Sequence, residues 1–348
     1  MSRTVAILGA TGLVGRTVVR ILEERAFPLD DLRPLASERS AERVIPFRGR
    51  DVPVRPVAAD AFAGVDLALF ATSAELSRQW APVATAAGAR VVDNSSAFRL
   101  EPDVPLVVPE VNGALLDAGP RLVANGNCVA IPLALVLHAL QPLGRLERVV
   151  LASYQSVSGA GQEALDELER GIRGGLDGAP PSRADGRPAF AYNVVPHIDR
   201  FDAEGWTGEE RKIVNETRRM LGRPDLSITP TSVRVPVRVG HSAAVVARFD
   251  RAVEPGQARA AWGAAPGVRV VDDPAHERYP TPLEAEGEDD VLVGRVRRDA
   301  GDPRELVFFF ASDNLRKGAA LNAVQIAERL AGHPLAGRPH AGPPARAR

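Results

Sequence analysis

Chemistry in this chain begins with its only cysteine, Cys128, in the segment Asn125-Gly126-Asn127-Cys128-Val129-Ala130-Ile131-Pro132. Arg121 to Ala124 ahead of it reads as a strand, and Ile131 to Leu140 behind it as an apolar helix. The thiol therefore falls at a strand-to-helix turn. Unpaired N–H groups and the helix dipole at such a place favour thiolate, the nucleophilic form. A carbonyl attacked there becomes an oxyanion, for which the backbone N–H groups of Asn127-Cys128-Val129 are candidate donors. The competing reading is a small buried hydrophobe.

Three other segments set polar side chains beside glycines or turns. Arg99 closes Asp93-Asn94-Ser95-Ser96-Ala97-Phe98-Arg99, Gln155 precedes Ser156-Val157-Ser158-Gly159-Ala160-Gly161, and Arg234 and His241 lie in Arg234-Val235-Pro236-Val237-Arg238-Val239-Gly240-His241-Ser242. A histidine supplies a base near neutral pH, and an arginine fork suits a carboxylate.

Gly9-Ala10-Thr11-Gly12-Leu13-Val14-Gly15 follows a strand and opens a helix. Glycines at this spacing let a pyrophosphate reach backbone N–H groups at a helix N-terminus. The second strand ends in Ala36-Ser37-Glu38-Arg39-Ser40. Two hydroxyls and a guanidinium, Ser37, Ser40 and Arg39, suit a ribose 2′-phosphate, so NADP is the expected cofactor. Glu38 turned inward would instead select NAD.

The elements that must position these groups read as an α/β fold. Strands at Thr4–Leu8, Leu32–Ala36, Leu67–Ala71, Arg90–Asp93 and Leu106–Val108 alternate with helices at Leu13–Arg25 and Ser77–Ala87, the pattern of a parallel, Rossmann-type sheet. Beyond Cys128 the pattern predicts an α+β domain with a mixed sheet. Its strands are Arg148–Ser156, Ser232–Val239, Ser242–Asp250, Gly267–Val271, Val291–Arg298 and Leu306–Ala311, and its helices Gln162–Arg170 and Glu209–Leu221. Gly171–Pro188 reads as a long surface loop, Leu315–Leu330 as a closing helix, and residues 331–348 as a disordered tail.

The chain has 348 residues, 45% of them hydrophobic, with 43 basic against 44 acidic side chains. That balance argues against nucleic acid or an anionic membrane as partner. No apolar run reaches the ~18 residues of a membrane helix, and no signal peptide is evident at the N-terminus. One cysteine forms no internal disulfide, and His138, His197, His241 and His276 show no metal-ligand spacing. The expectation is a soluble cytoplasmic enzyme without a metal.

Taken together, Gly9–Gly15, Leu35–Ser40, Asp93–Arg99, Asn127-Cys128, Tyr154–Gly161, Arg234–Ser242 and Ser312–Ala319 resemble the aspartate-β-semialdehyde dehydrogenase family over about residues 3 to 330. The resemblance implies NADP- and phosphate-dependent interconversion of L-aspartate 4-semialdehyde and 4-phospho-L-aspartate, in lysine, threonine, methionine and diaminopimelate biosynthesis. It implies Cys128 as nucleophile, His241 as general acid/base and Gln155 as the residue orienting the intermediate. Arg234 would grip the α-carboxylate, Arg99 and Lys212 the phosphate, and Glu209 the amine, with Asn127 also against substrate. Gly9, Thr11, Gly12, Leu13, Val14, Gly15, Ser37, Arg39, Ser40, Ser158, Gly159 and Asn314 would meet the cofactor. The implied organisation is a cofactor domain of residues 1–128 with 313–330, a catalytic and dimerisation domain of residues 129–312, and assembly as a homodimer or tetramer.

Two departures stand out. The family usually has Ser or Thr after its cysteine and Glu shortly after its histidine, where this chain has Val129-Ala130 and Ser242-Ala243-Ala244. The rival readings are N-acetyl-γ-glutamyl-phosphate reductase, for a substrate one carbon longer, and a catalytically silent NADP-binding paralogue.

Overall fold

The computed structural model describes residues 3–40, 43–183 and 185–332. The first part begins with β1 (Thr4–Leu8), α1 (Leu13–Glu24) and β2 (Asp31–Ala36), then β3 (Val44–Phe47), β4 (Arg50–Pro53) and β5 (Arg55–Pro56). It continues through β6 (Leu67–Phe70), α2 (Ala74–Ala86), β7 (Arg90–Asp93), α3 (Pro109–Asn112) and β8 (Leu122–Ala124). Six of these strands form one sheet in the order β5-β2-β1-β6-β7-β8, every pairing parallel. The sequence dictates this: Val5 to Leu8 and Leu67 to Phe70 are unbroken apolar runs, buried throughout, as strands covered on both faces must be.

The second part opens with α4 (Ala130–Leu140), β9 (Leu146–Gln155), α5 (Gln162–Leu176) and α6 (Gly208–Met220), followed by β10 (Ser227–Arg234) and β11 (His241–Phe249). Then come α7 (Pro255–Ala264), β12 (Val268–Val270), α8 (Pro282–Ala285), β13 (Val291–Arg298), β14 (Glu305–Ser312) and α9 (Leu321–Leu330). Its sheet has the order β10-β9-β11-β14-β13-β12. The β9–β10 and β12–β13 pairs are parallel and the other three antiparallel. Val149, Leu151, Val245, Ala247, Phe249, Phe308 and Phe310 point into a core closed by α4, α6 and α7, while Val150, Tyr154, Val246 and Phe309 on the other face stay half-buried.

The chain's end returns to its beginning. Leu321, Val324, Ile326, Ala327 and Leu330 of α9 belong to the core built by β1, β2 and α1. Just before α9, a π-helical turn at Arg316–Ala320 buries Lys317 completely. Its Nζ lies 2.6 and 2.8 Å from the two carboxylate oxygens of Glu110, and Asn322 and Gln325 complete its partners. Burial of an ammonium is tolerable only with such pairing. No helix among the described residues is long and apolar enough to cross a membrane.

Several local readings are corrected. Leu106–Val108 is no strand: Leu106 makes a single bridge to Ala124 before Pro109 starts α3. The strand expected at Ser232–Val239 runs instead over Ser227–Arg234. Pro230 is accommodated because β10 is an edge strand, and Val237 and Arg238 use their carbonyls on Val157 and Ser158 instead. The loop expected from Gly171 begins later, since the stripe of Leu165, Leu168 and Ile172 carries α5 to Leu176. The β3–β4 hairpin was not anticipated; Arg48 and Gly49 turn it with positive φ. Residues 333–348 of the expected tail lie outside the described residues.

Candidate active site

The glycine loop between β1 and α1 is shaped by what it lacks. Gly9 has φ +84°, and a Cβ there would come within 2.2 Å of the Ala71 carbonyl oxygen. A Cβ on Gly15 would lie 2.2 Å from the Gly9 carbonyl oxygen. Gly12 is different: it is exposed, caps α1 without a side-chain bond, and a Cβ there would touch only Gly9 at 3.4 Å. No acidic residue lies in the first turn of α1. An uncapped, uncharged helix start with open space above it fits a dinucleotide pyrophosphate. Thr11, Leu13 and Val14 are partly exposed around it. At the end of β2, Ser37, Glu38 and Arg39 face solvent, whereas Ser40 is buried.

The second centre is set by strand register. Arg234 at the end of β10 pairs with Gln155 at the end of parallel β9, and antiparallel β11 starts beside them at His241. Three neighbouring strand ends thus deliver a guanidinium, an amide and an imidazole to one place. Gly159 covers it: a Cβ there would be 3.0 Å from Arg234 Nη1 and 3.1 Å from His241 Nε2.

His241 is fully buried, and its Nδ1 lies 3.0 Å from both the backbone nitrogen and Oγ of Ser156. A backbone N–H only donates, so Nδ1 is the acceptor and the neutral ring carries its proton on Nε2. Burial first, and the Arg234 guanidinium second, hold the imidazole well below its ordinary pKa. Nε2 itself is buried without a partner. Behind the ring, Asn314 Oδ1 accepts from Ser156 Oγ, Ser158 Oγ and the Gly240 N–H. Ser158 and Asn314 are therefore buried supports of His241, and Ser156 is a site residue the sequence reading missed.

Cys128 is partly exposed between β8 and α4. Its surroundings correct the expectation of a ready thiolate. Burial pushes the thiol up to about 12, the Glu209 carboxylate adds to the rise, and Arg234 and Arg99 oppose it. Desolvation and a neighbouring anion thus outweigh the helix terminus. The expected backbone donors are mostly spent as well. Asn127 Oδ1 accepts from the Val129 and Ala130 N–H groups, and the Asn127 N–H is given to Glu216. Within Asn127-Cys128-Val129, the Cys128 amide has no backbone or side-chain oxygen as partner.

Helix α6 grips the turn from below. It starts with a capping box, Thr207 with Glu210, whose second oxygen also takes the Ser232 N–H. Glu209 is buried, and its Oε1 accepts from Asn127 Nδ2 at 2.9 Å and Gln155 Nε2 at 3.2 Å. Its Oε2 is 3.9 Å from Lys212, which sits at the rim and pairs more closely with Asp199 at 2.6 Å. Two turns further on, Glu216 meets Arg99. Arg99, also buried, donates to the Asn125 and Asn94 carbonyls. Glu216 was missed by the sequence reading, although its spacing of seven from Glu209 puts both on one helix face.

Six expected residues, Asn127, Cys128, Gln155, Glu209, Arg234 and His241, thus converge, with Arg99 beneath and Lys212 at the edge. The glycine loop borders them, since Leu13 packs on the apolar cluster of Val157. Ser37, Arg39 and Ser40 lie apart, at the end of β2. Val129 is fully buried in the second core, which accounts for an apolar residue after the cysteine. Ser242 and Ala243 are likewise buried, and Ala244 faces the sheet's outer side.

The family model "Semialdehyde dehydrogenase, NAD binding domain" matches residues 4–118, and "Semialdehyde dehydrogenase, dimerisation domain" matches residues 137–317. The aspartate-semialdehyde dehydrogenase of Aquifex aeolicus is 42% identical, covering 95% of this chain and 98% of that protein. Its counterpart from Synechocystis is 44% identical, covering 94% and 96%. Among solved structures, aspartate semialdehyde dehydrogenase II of Vibrio cholerae, complexed with ASA, matches with TM-score 0.92 and 40% identity over 95% of this chain and 99% of that one. With the glycine loop, the cysteine turn and the three strand ends in place, this chain belongs to the aspartate-semialdehyde dehydrogenase family.

Proposed function

We propose that the chain interconverts L-aspartate 4-semialdehyde and 4-phospho-L-aspartate, using NADP and inorganic phosphate, through a thioester on Cys128. The observation that carries this reading is the strand-end cluster, where an unpartnered His241 Nε2 and the Arg234 guanidinium face one space, with Cys128 close enough to interact electrostatically with Arg234. Arg234 spends one Nη1 bond on the Ser156 carbonyl, so its fork keeps donors for the substrate α-carboxylate. Glu209 is placed for the substrate ammonium. That contact would offset the anion that holds the Cys128 thiol up, favouring loss of its proton to solvent.

The thiolate forms a C–S bond to the aldehyde carbon, and the carbonyl π pair moves to oxygen. Of the two proton roles expected of His241, the geometry favours donation: Nε2–H hydrogen-bonds that oxyanion, together with the Cys128 amide. Bound nicotinamide supplies the hydride acceptor, or in reverse the donor. Gln155 holds the resulting carbonyl in place. Phosphate oxygen then attacks the thioester and expels the cysteine sulfur, with Arg99 and Lys212 as its cationic partners.

Ser37 and Arg39 support NADP over NAD, with Gly9, Gly12 and Gly15 at the pyrophosphate. We further propose the division into residues 1–128 with 313–330 and residues 129–312, supported by α9 lying in the first core. The half-buried outer face of the mixed sheet, Val150, Tyr154, Val246 and Phe309, supports a homodimer through that face. A cytoplasmic location accords with this chemistry. The buried Glu209 disfavours an N-acetylated substrate, whose nitrogen carries no charge.

The test is NADPH formation from L-aspartate 4-semialdehyde and NADP, with and without phosphate. Phosphate-dependent turnover that Cys128→Ala abolishes is the expected result. A folded, cofactor-binding chain that turns over no aspartate semialdehyde with NADP or NAD would overturn the assignment.

A further inference from the structure

Glu216 is 1% exposed, and its carboxylate joins two parts of the site that are far apart in sequence. Its Oε2 accepts the Asn127 N–H at 2.5 Å, one residue before the nucleophile, and its Oε1 lies 3.1 Å from Arg99 Nη1. We propose that Glu216 is a positioning residue with two separable tasks: it fixes the backbone that carries Cys128, and it partly neutralises Arg99 so that phosphate meets a paired rather than a free cation. The second task rests on the reading of Arg99 as a phosphate ligand; the first does not.

The first task follows from how tightly the turn lies on α6. A Cβ on Gly126 would come 2.9 Å from Ile131 Cγ1, 3.3 Å from Met220 Sδ and 3.6 Å from Glu216 Oε2. The backbone has no slack there, so the Asn127 N–H has one buried acceptor in reach. Leaving that group unpaired would be costly, and the turn would move to find another partner. With Glu209 holding the Asn127 side chain, two carboxylates from one face of α6 hold this residue at both its amide and its backbone.

The second task follows from how Arg99 is anchored. Its Nε and Nη2 donate to the Asn125 and Asn94 carbonyls at 2.8 and 2.6 Å. Those bonds do not depend on Glu216, so the guanidinium stays in place when the carboxylate is neutralised. Counting the bond to Glu216, three of its five N–H groups are used, and the rest remain for a ligand. Arg99 stripped of its counter-ion should therefore bind phosphate more tightly, the reverse of what simple damage to the site would do.

Two variants separate the tasks. Glu216→Gln keeps the length and an acceptor for Asn127 but loses the charge. The phosphate KM should fall by roughly three- to tenfold, and 10-fold more added phosphate should raise Tm further than in the unaltered chain. Glu216→Asp keeps the charge but is one methylene short of Asn127. Here kcat should fall by about tenfold or more, iodoacetamide alkylation of Cys128 should change in rate, and the phosphate KM should stay within about twofold. An unchanged or raised phosphate KM in Glu216→Gln overturns the charge task. Unaltered kcat and alkylation in Glu216→Asp overturn the backbone task. If Glu216→Gln folds only with phosphate present, the charge task is supported; if it does not fold at all, the phosphate KM of Glu216→Asp decides, a rise overturning the task. Loss of phosphate dependence in the unaltered chain would count against the reading of the site, and alkylation would still test the turn.

Discussion

The two centres of this molecule are built on opposite principles. The glycine loop after β1 is an open surface made by removing atoms: Gly9 and Gly15 have no room for a methyl group, and a Cβ on Gly12 would meet only the Gly9 carbonyl. The cluster around Cys128 is made by satisfying them. Asn127, Gln155, Glu209, Glu216, Arg99 and Asn314 are buried polar side chains bound to one another or to backbone. His241 Nε2 is among the buried atoms left without a partner. A cofactor that comes and goes needs a pre-shaped gap, whereas bond-making needs groups that cannot turn away, with one donor held in reserve.

The largest effects should come from breaking each principle once. Cys128→Ala should reduce turnover by about 10⁴-fold or more while NADP affinity, measured by fluorescence titration, stays within about twofold. Gly9→Ala adds a clash at a left-handed φ. It should cost about 2–4 kcal/mol in urea unfolding and remove cofactor binding.

A sharper test concerns the thiol. Burial raises it first and Glu209 second, so Glu209→Gln should move the midpoint of iodoacetamide alkylation to lower pH. At pH 8 the reaction should quicken by about tenfold, the effect of roughly one pKa unit. An unmoved midpoint would mean that desolvation alone sets the thiol. Arg39→Ala should raise the KM for NADP by about tenfold and leave that for NAD nearly unchanged. The smallest effect is expected at Val129→Thr, which buries a hydroxyl in the second core: about 1–2 kcal/mol in stability and little change in kcat.

The contrast also explains what could be read in the sequence. β1, the glycine loop and β13 were legible because their signals are local: an apolar run, a spacing, a turn residue. So were Arg234 and His241 as candidates. What escaped was every property set by distant partners. The thiol of Cys128 is raised by burial first and by Glu209 second, the latter 81 positions away in α6 and invisible to a reading of the turn itself. Asn127 looked like part of an oxyanion hole and instead consumes its donors. Pro230 and Pro46 each lie where a strand tolerates a proline, in an edge strand and in a two-stranded hairpin, a placement that depends on pairing with distant or turned-back chain.

The return of α9 to the first core carries a consequence for how the molecule comes into being. Ribosomes deliver β1 and α1 first and α9 some 300 residues later. Until then Val18, Ile21 and Leu22 lack the apolar surface that finally covers them. The π-helical turn whose Gly318 lies against Cys128 is equally late, since a Cβ there would meet the Cys128 carbonyl at 3.0 Å. The nascent chain thus carries its cysteine for most of its synthesis without the backing that completes the site. Both the first core and the cysteine turn are therefore completed only when the last helix of the chain has been made.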